Sequence, residues 1–134
     1  MADLSLTATS VDLVSGPTST DDAGETIIAG QVLYKSSSDS LLYKADATDA
    51  SKDDVIGIAL NGGAINQPIV YAKNGAVVTI GVATVVTETY ILSTAGLIAP
   101  IADLASSDYL TRLGTGITTA NIQLQFYTSS LQKA

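Results

Sequence analysis

The side chains in this sequence that can do chemistry are carboxylates. Asp21, Asp22 and Glu25 form one cluster, and Asp46, Asp49, Asp53 and Asp54 form another. Paired carboxylates several ångströms apart do general acid and base work at glycosidic bonds, in clefts that also stack on sugar rings. Neither cluster has that company. The chain has no Trp, and both clusters fall in loop-like stretches. The same oxygens can hold Ca2+, but their spacing is not that of an EF-hand loop. A solvated acidic loop is the plainer reading, and no cofactor and no metal are expected. Gly62-Gly63 and Gly114-Thr115-Gly116 are followed by no Lys-Ser or Lys-Thr. They read as turn glycines and not as phosphate cradles. The tyrosines are spread through strand-like segments, which suits packing better than ligand stacking.

What is missing narrows the chemistry further. The chain has no His and no Cys. A serine–histidine triad, an imidazole base and a histidine metal ligand are excluded. So are a thiolate zinc site, an iron–sulfur cluster and a disulfide framework. Thirteen acids against six scattered bases give a net charge of −7. Phosphate binding needs clustered Lys and Arg, so neither nucleic acid nor an anionic membrane is an expected partner. The protein is not expected to be an enzyme. Its 134 residues, 46% apolar and 14% charged, suffice for one domain with a real core. The N-terminus carries Asp3 where a signal peptide needs bases. The uncharged stretches 55–72 and 113–132 are broken by Asn, Gly, Gln, Pro and Thr, so neither reads as a membrane span. A soluble protein, or a piece of a soluble assembly, is expected.

The elements that must position these residues are strands. Val, Ile and Thr are abundant, and Gly, Asn and Asp punctuate the chain at about eight to twelve residues, the rhythm of an all-β sandwich or barrel. Strands are expected at Gln31–Lys35 and Leu41–Lys44, joined by the polar loop 36–40. Further strands are expected at Val55–Leu60, Thr89–Leu92, Gly96–Ala99, Asp108–Gly114 and 122–127. Gly57 marks a close backbone approach or a bulge. One or two short helical turns fit beside them, one at 49–52 capped by Thr48 and one within 100–107. Residues 131–134 are expected to fray.

Asn74-Gly75 lies between 68–73 and 76–81 and suits a two-residue type I′ hairpin. That register sets Tyr71 opposite Val78 and Ile69 opposite Ile80 on one face. Val70, Ala72, Val77 and Thr79 fall on the other, which is also rather apolar and is a candidate subunit interface. Near the N-terminus, Leu4 to Thr9 alternate apolar and polar, and Val11 and Leu13 continue the pattern. Residues 15–24 then read as a loop. Residues 1–23 are thus an arm with its linker, and 24–134 the body. The arm can fold back onto its own body or pair with a neighbour's sheet edge.

The order of several motifs adds a resemblance. Gly30-Gln31-Val32-Leu33-Tyr34, Lys44-Ala45-Asp46-Ala47 and Val55–Leu60 come first. Asn66-Gln67-Pro68-Ile69, Asn74–Gly81, Gly96–Pro100 and Tyr109–Gly114 follow. Together they resemble the bacteriophage head-decoration, or capsid cement, proteins over roughly residues 24–126. Asn66 stands where that family usually has Gly. The resemblance implies a small β-barrel or β-tulip-like fold with an extended N-terminal arm. It implies a homotrimer on the outer surface of the phage head, at three-fold and quasi-three-fold sites. There it would hold the major capsid protein against the pressure of packaged DNA. Leu4, Leu6, Thr7 and Ala8, with Val11 and Leu13, are the expected capsid contacts. On that reading, removing residues 2–14 leaves a folded trimer that no longer binds heads. The competing readings are a tail or fibre module and a small carboxylate enzyme, for which Asp22→Asn or Asp53→Asn would abolish turnover.

Overall fold

In the computed structural model, the described residues are 4, 6–49, 52, 54–80, 84, 86–94, 96–103 and 109–132. They form an all-β fold of two antiparallel sheets. Strands β1 (Val11–Ser15), β7 (Val77–Ile80), β8 (Thr89–Leu92), β9 (Ile98–Pro100), β10 (Tyr109–Gly116) and β11 (Asn121–Gln132) make a six-stranded sheet. Its order is β1-β7-β11-β10-β8-β9. Strands β2 (Thr18–Asp22), β3 (Val32–Lys35), β4 (Leu42–Lys44), β5 (Gly57–Ala59) and β6 (Pro68–Ala72) make a five-stranded sheet, in the order β2-β6-β5-β3-β4. The sheets do not close into a barrel. Single 3-10 turns at Ala8–Ser10 and Ile101–Asp103 complete the elements.

Alternation explains the layers. Along β11, Ile122 and Leu124 are buried and Phe126 is half-buried, while Gln125 and Tyr127 are exposed. Val78, Ile80, Leu113, Ile122 and Leu124 of the six-stranded sheet pack on Val32, Ile58 and Ala72 of the other. A second cluster lies on the opposite face of the five-stranded sheet. There Leu33, Ala59, Ile69 and Tyr71 are covered by Ala23 and Ile27. Each fully buried Leu or Ile contributes about 1.5–3 kcal/mol, so both clusters matter to the fold. Gly57 is a close approach: a Cβ there would lie 2.4 Å from the Tyr71 ring.

The Asn74-Gly75 turn corrects the hairpin expectation. Strands β6 and β7 belong to different sheets and do not pair. Of the two turn residues only Gly75 has positive φ, at 95°, which fits a type II turn and not type I′. Ala76 N–H closes the turn on the Lys73 carbonyl at 3.1 Å. The side chains explain the choice. Ile69 and Tyr71 belong to one cluster, Val78 and Ile80 to the other, and a flat hairpin would put all four on one face.

The partner of both strands is a single run of chain. Val11 pairs with Ile80 and Leu13 with Val78, and then Thr18 pairs with Ala72 and Asp22 with Pro68. Residues 11–22 and 68–80 are thus one long antiparallel ribbon, bent so that it serves both sheets. The bend on one side is Gly16-Pro17, where Gly16 has φ 108° and a Cβ would sit 2.5 Å from Ala76 Cα. Lys73 N–H donates to the Pro17 carbonyl across the corner at 3.0 Å. The stretch 15–24, expected as a flexible loop, therefore contains strand β2. Its Ser, Thr and Asp are strand residues because β6 satisfies their backbone, not because of their own polarity pattern.

Other differences are local. Asp46 helps to organise its loop: its Oδ1 accepts the Thr48 N–H at 2.9 Å and hydroxyl at 2.7 Å. Residues 50 and 51 of the expected helical turn lie outside the described residues, as do 104–107 of the second expected turn. Gly114 and Gly116 sit within β10, not in a turn. A Cβ on Gly114 would lie 2.1 Å from the Gln123 carbonyl oxygen, beside a bulge shared by both neighbours of β10. Strand β11 runs to Gln132, past the expected start of fraying at 131.

Candidate functional site: the N-terminal edge

Strands β1 and β2 are each the terminal strand of a sheet. Together they make one continuous edge, residues 11–22, along the side of the molecule. The chain before them runs between the two edges of the six-stranded sheet. Leu4 N–H donates to the Ile98 carbonyl of β9 at 2.7 Å, and Val11 opens β1 at the other edge. Leu4, Leu6 and Leu13 pack on the main core, and Val11 is only 8% exposed. Thr7 is exposed, and its carbonyl accepts the Ser10 N–H at 2.9 Å. Ala8 begins the 3-10 turn. Of the two courses open to the arm, the isolated chain takes the one over its own body.

The edge therefore shows its neighbours a mostly polar surface. Asp12, Val14, Thr18, Thr20 and Asp22 are exposed, and Val14 is 53% so. Acids and Pro17 limit indiscriminate edge-to-edge pairing. The edge still offers backbone groups to an added strand, and its acids favour a partner strand that carries Lys or Arg.

The four residues expected at a subunit interface do not share one face. Ala72 is fully buried in the core, which corrects its place in that set. Val70, on β6, is 37% exposed. Val77 and Thr79 are half-buried on the outward side of β7. There the Thr79 hydroxyl and Asn121 Oδ1 lie 2.7 Å apart.

Asp21, Glu25 and Asp39 are engaged in structural contacts. Asp21 Oδ1 lies 3.3 Å from Lys35 Nζ, and its Oδ2 accepts the Tyr71 hydroxyl at 2.6 Å. Burial, and then the bond to Asp21 and its charge, push the Tyr71 phenol up to about 12. Glu25 accepts the Lys44 N–H at 2.9 Å and lies 3.8 Å from its ammonium. Asp39 accepts the Tyr43 hydroxyl at 2.5 Å, which, followed by the Leu41 N–H, holds it below the ordinary Asp range. Among the described residues, no three acids gather as a metal group would need. Asp53 lies outside them.

The edge strand is the feature that sequence reasoning missed. In Thr-Ser-Thr-Asp-Asp both faces are polar, so no alternation shows. The available signal was Gly16-Pro17 followed by two β-branched threonines. No protein-family model matches the chain, and no curated protein matches it.

Proposed function

We propose that the protein is a structural component of a phage virion. It binds the outer surface of the mature head as a homotrimer, at three-fold and quasi-three-fold sites, and stabilises the major capsid protein lattice against internal DNA pressure. The observation that carries this reading is the continuous edge of residues 11–22, whose outer backbone groups can pair with an added strand. The order of motifs from Gly30 to Gly114 supplies the identity of the partner by resemblance. Because Leu4, Leu6 and Leu13 pack on the chain's own core and Val11 is buried, the contact is assigned to Thr7, Asp12, Val14, Thr18 and Thr20. Backbone pairing supplies affinity and alternate side chains select register.

The mechanism is linkage. A ligand that binds the expanded lattice and not its separated subunits stabilises the lattice by mass action. Three arms on one trimer raise the effective concentration of each further contact.

Co-sedimentation with expanded, undecorated heads of the encoding virus tests this. Saturation at three copies per three-fold and quasi-three-fold site, with a raised head melting temperature, is expected. Failure to bind heads shown to be expanded and bare overturns it, and labelling confined to the tail would instead identify a tail or fibre module.

A further inference from the structure

The chain contains two Asn-Gly pairs, Asn61-Gly62 and Asn74-Gly75. This dipeptide is prone to spontaneous deamidation, because glycine has no Cβ to hinder its own backbone nitrogen. The glycine nitrogen attacks the asparagine Cγ, the Cγ–Nδ2 bond breaks, and ammonia leaves with the proton of the glycine N–H. The resulting succinimide is opened by water at either carbonyl, giving aspartate or isoaspartate. Water, consumed in opening the ring, is the sole co-reactant. The step also needs a free glycine N–H and a side chain that can swing over it.

At the β6–β7 corner both are held, and both by β11. Gly75 N–H donates to the Leu124 carbonyl at 3.0 Å. Asn74 Oδ1 accepts the Phe126 N–H at 2.9 Å. At the other pair, among the described residues, only the side chain is held: Asn61 Oδ1 accepts the Val70 N–H at 2.7 Å, and its Nδ2 donates to the Pro68 carbonyl at 3.3 Å. From this geometry we infer that Asn74 is a modification site gated by detachment of the corner from β11. Its deamidation reports that opening, and Asn61 serves as an internal comparator.

The products differ in consequence. Aspartate at 74 keeps an acceptor for Phe126 and adds a negative charge to a groove of about 450 Å³ that Asp54, Lys73 and Tyr127 also line. Isoaspartate inserts a methylene into the turn that Ala76 and Lys73 close, and so undoes the corner.

The test is peptide mapping of the full chain, incubated folded and in urea, alongside amide exchange of Gly75 and Phe126. Reaction through local opening slows deamidation by the same factor as exchange. We expect Asn74 to react at least about tenfold more slowly folded than in urea, with a factor matching the Phe126 protection. Asn61 should be slowed less. Equal Asn74 rates in both states, or strong Phe126 protection without slowed deamidation, overturn the inference.

Discussion

The Tyr71 phenol and the Asp21 carboxylate join β6 to β2 beside the second apolar cluster, with Lys35 on the other carboxylate oxygen. The phenol's folded pKa stands above its ordinary value, at about 12. Its proton therefore stabilises the fold fully below pH 10, and that contribution is lost as pH rises through about 12. In Tyr71→Phe this alkaline loss should disappear from urea unfolding curves, at a cost near neutral pH of about 1 kcal/mol for the hydrogen bond. The two corner glycines separate strain from collision. Gly75→Ala meets no atom within 4 Å and carries only its positive φ, whereas Gly16→Ala also collides with Ala76. We expect losses of about 1 and about 3 kcal/mol, respectively, from urea midpoints. Equal losses would mean that the corner is not tightly packed. At this scale the sequence was informative about exclusion and poor about geometry. The absent His and Cys were plain, but nothing local placed Tyr71 against a carboxylate fifty residues away.

Most strands were legible because local alternation and bounding turns agree with their final burial. Strands β3, β4, β8, β9 and the alternating first half of β11 lie where Val, Ile, Leu and Tyr predicted them. The failures are at the bent ribbon. Strand β2 is polar on both sides, and its order comes from β6. The Asn-Gly turn carried a correct punctuation signal, but whether strands pair across a turn or diverge to two sheets depends on which cluster each must fill. One expectation changes accordingly. Removing residues 2–14 deletes most of β1 and uncovers Val78 and Ile80, besides losing Leu4, Leu6, Val11 and Leu13. Since full burial of such a side chain contributes about 1.5–3 kcal/mol, the truncation should cost about 5 kcal/mol, read as a collapse of the thermal transition by circular dichroism. A truncated form with unchanged melting would show that β1 is dispensable to the body.

At the scale of the whole molecule, the fold class was readable and the topology was not. Composition and turn spacing suffice for an all-β chain, whereas the pairing of 11–22 with 68–80 is non-local. The proposed role on the head makes a further prediction here. Val14→Glu alters an exposed side chain on the edge and should change stability by less than about 0.5 kcal/mol. It should lower head occupancy in co-sedimentation at limiting protein. Unaltered occupancy would move the contact away from β1.

The bent ribbon also has a history in time. Asp22 waits for Pro68 and Val11 for Ile80, so 46 to 69 residues must be made after one strand before its partner exists. At about 5–20 residues per second of synthesis, that is roughly 2–14 s. During this interval the newly made segment has no native mate, yet it will become the edge of both sheets. Its Asp, Ser, Thr and Pro, which disguise it as a loop, also keep the growing chain from joining the wrong strand.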